Sequence, residues 1–88
     1  MRNALPDATK GRIDYVINPT TVVLNVGIYD GVTVGDVYKL INVHSRLTAV
    51  LRVSEIQKNV SIAKVIWLSE RYLVIDIGAF VFLMRENL

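Results

Sequence analysis

Two aspartates frame the segment DGVTVGD, Asp30 at its head and Asp36 at its end. Paired carboxylates on one loop can act as a general acid and base or contribute to a calcium site. A calcium ion takes six or more oxygens, and the intervening Gly-Val-Thr-Val-Gly supplies few. A glycine-rich loop can also cradle phosphate, provided successive amides open a helix and a lysine or serine follows the last glycine. The spacing here gives neither G-x-G-x-x-G nor G-K-[ST], and the residues after Gly35 read as a strand. Turn chemistry accounts for the whole segment: Gly31 and Gly35 supply positive φ, Asp36 bonds nearby amides, and Val32 and Val34 plug the end of a barrel. A weaker copy near the C-terminus keeps the turn at Gly78 and replaces the aspartate with Ala79. A loop retained without its polar group points to architecture.

The remaining chemistry is sparse. His44 is the single histidine and cysteine is absent, so neither a triad nor a zinc site has its ligands. The turn His44-Ser45-Arg46 suits a histidine without a catalytic role. Asp14 and Glu55 are expected to face solvent, and Lys39 and Lys64, which interrupt the apolar alternation, to mark an outward face, a bulge or a snorkelling stem. The expectation is a non-enzyme without metal or cofactor.

The elements that position these residues are extended. Eighty-eight residues make one domain. An apolar content of 52% is high for a soluble domain, yet no run approaches the roughly 18 apolar residues of a membrane span, so no insertion is expected. The formal charge of +2 is too small to argue for nucleic acid. Residues 1–9 are polar, contain Pro6, and read as a flexible arm; residues 10–88 form the domain. GRIDYVI and TTVVLNV, separated by Asn18-Pro19, form a hairpin. DVYKLINV and LTAVLRVSEI make a second pair, VSIAKVIWL a fifth strand and AFVFLMR a sixth. Residues 69–75 allow at most one helical turn.

The halves match. Arg12, Ile13 and Val16 lie over Arg52, Val53 and Ile56 at an offset of 40, which also sets Thr21 over Ser61, Val22 over Ile62 and Val26 over Ile66. With three residues inserted, Val32, Val34, Gly35, Val37 and Leu40 fall over Ile75, Ile77, Gly78, Phe80 and Leu83. A repeated strand-strand-loop-strand unit cannot bury its apolar face alone, and closing against its twin gives an all-β, closed or partly open six-stranded barrel.

The order of features (VVLNVGIYDGVTVGDVYKL, then LTAVLRVSEIQKNVSIAKVI) resembles the small β-barrel module at the C-terminus of the flagellar assembly protein T family, and more distantly the barrel domains of the rod-shape protein MreC. The likeness runs over roughly residues 11–83 and rests mostly on turn and core positions. It implies a non-catalytic interaction or scaffold module of a bacterial envelope or flagellar-type assembly. MRNALPDATK lacks the apolar region of a secretory signal. The resemblance therefore implies a periplasmic location if the chain is a fragment or matured product, and the sequence otherwise reads as cytoplasmic. The apolar excess points to self-association or a protein partner on the barrel wall, with Tyr38, Trp67 and Phe82 as contacts. The alternative is a nucleic-acid-binding barrel using Arg12, Arg46, Arg52 and Arg71 between tyrosines. No strand carries a dense basic-aromatic row, which disfavours it.

Overall fold

A computed structural model describes residues 8–84. β1 (Lys10–Asn18), β2 (Thr21–Leu24), β3 (Val37–Ile41), β4 (Leu47–Ile56), β5 (Ser61–Leu68) and β6 (Phe80–Met84) are joined by turns, two long loops and a single 3-10 turn, Ile28–Asp30. Every pairing is antiparallel, and the order β1-β2-β5-β4-β3-β6 closes on itself. Closure pairs most strand edges and encloses one core: Ile13, Val22, Leu24, Tyr38, Leu51, Val53, Ala63 and Val81 are almost wholly buried.

The barrel has an internal two-fold arrangement. Exchanging β1 with β4, β2 with β5 and β3 with β6 leaves the strand order unchanged. Arg12 pairs with Phe80 as Arg52 pairs with Val37. Gly35 N–H donates to Val53 O at 2.9 Å and Val53 N–H to Asp36 O at 2.8 Å; in the other half Gly78 N–H donates to Ile13 O at 2.7 Å and Ile13 N–H to Ala79 O at 2.9 Å. Both glycines sit at positive φ, 96° and 90°. The two loops thus enter their closing strands through one and the same clasp.

The second strands correspond one residue away from the sequence alignment. Val16 pairs with Val22 and Ile56 with Ser61, so Val22 matches Ser61 and Leu24 matches Ala63, all of them buried. The offset of 40 would set buried Val26 over exposed Ile66. A slip of one residue sends every side chain to the opposite face, so burial decides the register. The cause is the connection: β1 and β2 turn through Ile17–Thr21, whereas β4 and β5 turn through Gln57–Val60.

Residues 1–7 of the expected arm lie outside the described residues, but Ala8 and Thr9 belong to the barrel. Ala8 is buried, its carbonyl accepts the Tyr38 hydroxyl at 2.6 Å, and Leu83 N–H donates to Thr9 O at 2.8 Å. Of the two expected plugs, Val32 is buried with its counterpart Ile75, while Val34 is 61% exposed, as is Ile77 at 64%. Only one residue per loop fits the mouth of the barrel.

Matching Val22 to Ser61 places a hydroxyl where the other half has an isopropyl group. Ser61 Oγ is buried and has no hydrogen-bond partner. Ser61→Ala removes that desolvated oxygen and is expected to leave stability unchanged or raise it by up to about 1 kcal/mol in a urea melt. A loss above that range would mean the oxygen is solvated by a buried water.

Candidate functional site

The opening loop is spent on its own turns. Asp30 Oδ2 accepts from Gly27 N–H at 2.9 Å, and Asp36 takes both the amide and the hydroxyl of Thr33 at 3.0 Å each. Gly31 caps the 3-10 turn at φ 90°. The carboxylates therefore serve separate turns, and the described residues contain no group of three or more potential metal ligands. Because a Cβ on Gly35 or Gly78 would meet nothing within 4 Å, substitution there costs backbone strain alone. Gly35→Val and Gly78→Val are each expected to destabilise by about 1–3 kcal/mol, and Asp36→Ala by about 1 kcal/mol, in thermal melts. A harmless Gly78→Val would remove the equivalence of the two clasps.

The loops differ in how closely they seat. In the first, Ile28 and Tyr29 N–H donate to the carbonyls of Gln57 and Lys58 at 2.8 and 2.9 Å, tying the loop to the β4–β5 turn. Gly27 makes this approach possible, since a Cβ there would stand 2.4 Å from Gln57 O and 2.6 Å from Val60 N. In the second loop, the Leu73 N–H to Glu70 O bond at 3.1 Å repeats the Asp30 N–H to Gly27 O bond at 3.0 Å, which sets Glu70 in the place of Gly27. A residue with a side chain cannot sit that close to backbone. Among the described residues, loop 69–79 makes no backbone hydrogen bond to the β1–β2 turn.

The consequence is an open end. Three grooves surround Leu73, and each counts it among its walls. The first, about 620 Å³, lies between Leu40, Ile41, Phe80 and Phe82 on the barrel and Val74 and Ile75 on the loop. The second, about 700 Å³, is of mixed character and holds His44, Arg46 and Glu70 beside Leu47 and Leu73. The third, about 210 Å³, separates Val16, Asn18 and Pro19 from Leu73, Val74 and Ile75. Apolar side chains stand exposed here: Val43 (93%) and Val74 (78%) on the first groove, and Tyr72 (84%) on the loop beside Leu73. Lys10 Nζ lies 4.5 Å above the Phe80 ring, a cation–π contact.

The residues expected at an interface separate. Tyr38 is fully buried, because β3 alternates and its position faces the core, so it cannot be a surface contact. Trp67 is about half exposed, and it shares an outward row with Val50, Lys39 and Phe82 across β5, β4, β3 and β6. Phe82 reaches the apolar groove. Lys39 is half-buried within that row, and Lys64 is exposed and donates to Thr21 Oγ1 at 3.3 Å. Asp14 and Glu55 are exposed.

The four arginines do not converge. Arg12 and Arg52 lie on β1 and β4, three strands apart around a six-stranded barrel and so on opposite walls. Arg46 shares its groove with Glu70, and Arg71 belongs to loop 69–79. His44 is a turn residue whose N–H donates to Asn42 Oδ1 at 2.9 Å.

Sequence reading missed Val43, Val74 and Phe80, and counted Tyr72 only among the tyrosines of the nucleic-acid alternative. The signal was present in LVIDI, five residues of which only Ile75 was needed as a plug. No helix among the described residues is long and apolar enough to cross a membrane. No family model matches the chain, and no curated protein matches it.

Proposed function

We propose that this chain is a non-catalytic protein-interaction module that receives a partner at the open end around Leu73. The observation that supports this most is the exposure of Val43 and Val74 on the groove lined by Phe80 and Phe82, with Tyr72 exposed on the same loop beside Leu73. Exposed apolar clusters of this kind are characteristic of contact surfaces. The assembly it serves is of the bacterial envelope or flagellar type, a reading that rests on the likeness of DGVTVGD and its neighbouring strands to the flagellar assembly protein T module.

The test compares two double variants with matched chemistry. Tyr72→Asp with Val74→Asp alters the open end, and Tyr29→Asp with Val34→Asp alters the sealed one. Sedimentation reads self-association, and quantitative cross-linking in a bacterial extract reads other partners. The first pair is expected to lose a contact at least tenfold while the second retains it. Equal behaviour of the two pairs would contradict the assignment. An apolar contact is also expected to persist as salt rises, since burial is not screened. Oligonucleotide affinity is expected to be no tighter than about 10⁻⁵ M. Submicromolar binding that disappears in Arg46→Ala with Arg52→Ala would make nucleic acid the ligand instead.

A further inference from the structure

We infer that the partner received at the open end is a second copy of this chain, related by a two-fold axis near Leu73 that sets Asp76 of each copy against Arg46 of the other. This rests on the interaction-module reading and names its partner.

The first support is the order of charges across the open end. Asp76 lines the apolar groove and Arg46 the mixed one, and Leu73, Asn42 and Thr48 are walls common to both. Both charged residues are exposed, and neither side chain has an ion pair or hydrogen bond among the described residues. Glu70 and Arg71 are consecutive on the loop and cancel in net charge, while Lys10 is held over the Phe80 ring. What remains is one negative and one positive site on either side of Leu73. A wholly acidic or wholly basic partner would meet one of them with like charge. A two-fold contact sets residue i against j and j against i, so rotation about Leu73 exchanges the two grooves and brings each carboxylate to a guanidinium. The surface is complementary to itself.

The second support is area. Val43, Val74 and Phe80 on the apolar groove, Leu47 on the mixed one, and Tyr72 and Ile77 on loop 69–79 are all exposed. Six large side chains exposed to this degree present on the order of 600 Å² of surface, most of it apolar. A standard interface takes about 800 Å² from each partner, somewhat over half of it apolar. The open end therefore supplies the apolar part of a dimer contact without help from another wall, and the two half-buried Leu73 side chains meet at its centre.

Sedimentation equilibrium of the full chain across the micromolar to millimolar range reads the contact. A reversible monomer–dimer equilibrium is expected, with a dissociation constant below millimolar. Asp76→Arg and Arg46→Asp are each expected to weaken it at least tenfold, because each places like charges together twice in the symmetric pair. Both changes in one chain rebuild the two contacts with reversed sign, and an equimolar mixture of the single variants rebuilds them as a heterodimer. Each of these is expected to return to within about threefold of the parent affinity. That recovery also shows that the single variants fold. A parent chain that stays monomeric at millimolar concentration, single variants that dimerise like the parent, or a double variant and mixture without recovery would overturn the inference. If the parent is monomeric while the Tyr72 and Val74 variants still lose a cross-linked partner from the extract, the second copy is refuted and the module reading stands.

Discussion

Replacing Gly27 with alanine is expected to destabilise the fold by about 3–4 kcal/mol, the upper range for overpacking a site that cannot relax. The added methyl would lie 2.4 Å from Gln57 O, 2.6 Å from Val60 N and 2.8 Å from Lys58 O. All three are backbone atoms of one turn, so no side chain can swing aside. The loop must lift, and the hydrogen bonds of Ile28 and Tyr29 go with it. For a domain of this size such a loss lowers the melting temperature by roughly 15–25 °C. Gly31→Ala is the control, because its Cβ would meet nothing and only the positive φ is penalised, at about 1 kcal/mol. Equal melting points for the two variants would show that the first loop does not need its close seat. The substitution has a second consequence: a lifted first loop should open grooves at the end that is now sealed, making the two ends alike.

Tyr38→Ala is expected to cost about 3–5 kcal/mol, the range for deleting a buried aromatic side chain. The ring is fully buried in the core, and its hydroxyl reaches the Ala8 carbonyl at 2.6 Å. Tyr38→Phe keeps the ring and leaves that buried carbonyl without this donor, for an expected loss of about 1–2 kcal/mol. The two variants separate the packing of the core from the attachment of the chain before β1. If Tyr38→Phe melted like the parent chain while Ala8 stayed protected in hydrogen exchange, the hydroxyl bond would have no part in holding that segment.

The strands were legible because alternation and β-branched runs carry them, and all six begin and end within two residues of the expected bounds; β2 and β3 each close two residues earlier than TTVVLNV and DVYKLINV suggest, giving their last residues to the loops. Closure was legible from the repeated unit, since two half-barrels that exchange partners leave the β1–β6 and β3–β4 seams equivalent. Register was less so. The one-residue difference between the hairpin turns is invisible to an alignment that counts only residue type, yet it decides that Ala63 rather than Lys64 faces inward. Tyr38 was misassigned because an aromatic residue on a strand reads alike on either face. Its burial follows from the alternation of β3, in which Tyr38 and Leu40 point inward and Lys39 outward.

The open end was the hardest to foresee. Its cause is the presence of Glu70 where the first loop has Gly27, and neither residue belongs to a motif. Gly27 attracted no notice because its backbone is extended rather than left-handed, with φ −147°. Its role is proximity, which depends on where the β4–β5 turn passes in space. Sequence periodicity contains no such distance.

Amide hydrogen exchange on the unmodified chain compares the two ends most directly. The amides of Ile28, Tyr29 and Val32, bonded to Gln57, Lys58 and Gly27, are expected to exchange slowly. Those of Tyr72, Val74, Ile75 and Ile77 are expected to exchange on the order of a hundredfold faster, because among the described residues loop 69–79 makes no backbone hydrogen bond to the β1–β2 turn. Equal protection of the two loops would contradict the claim that one end of the barrel is sealed and the other open for a partner.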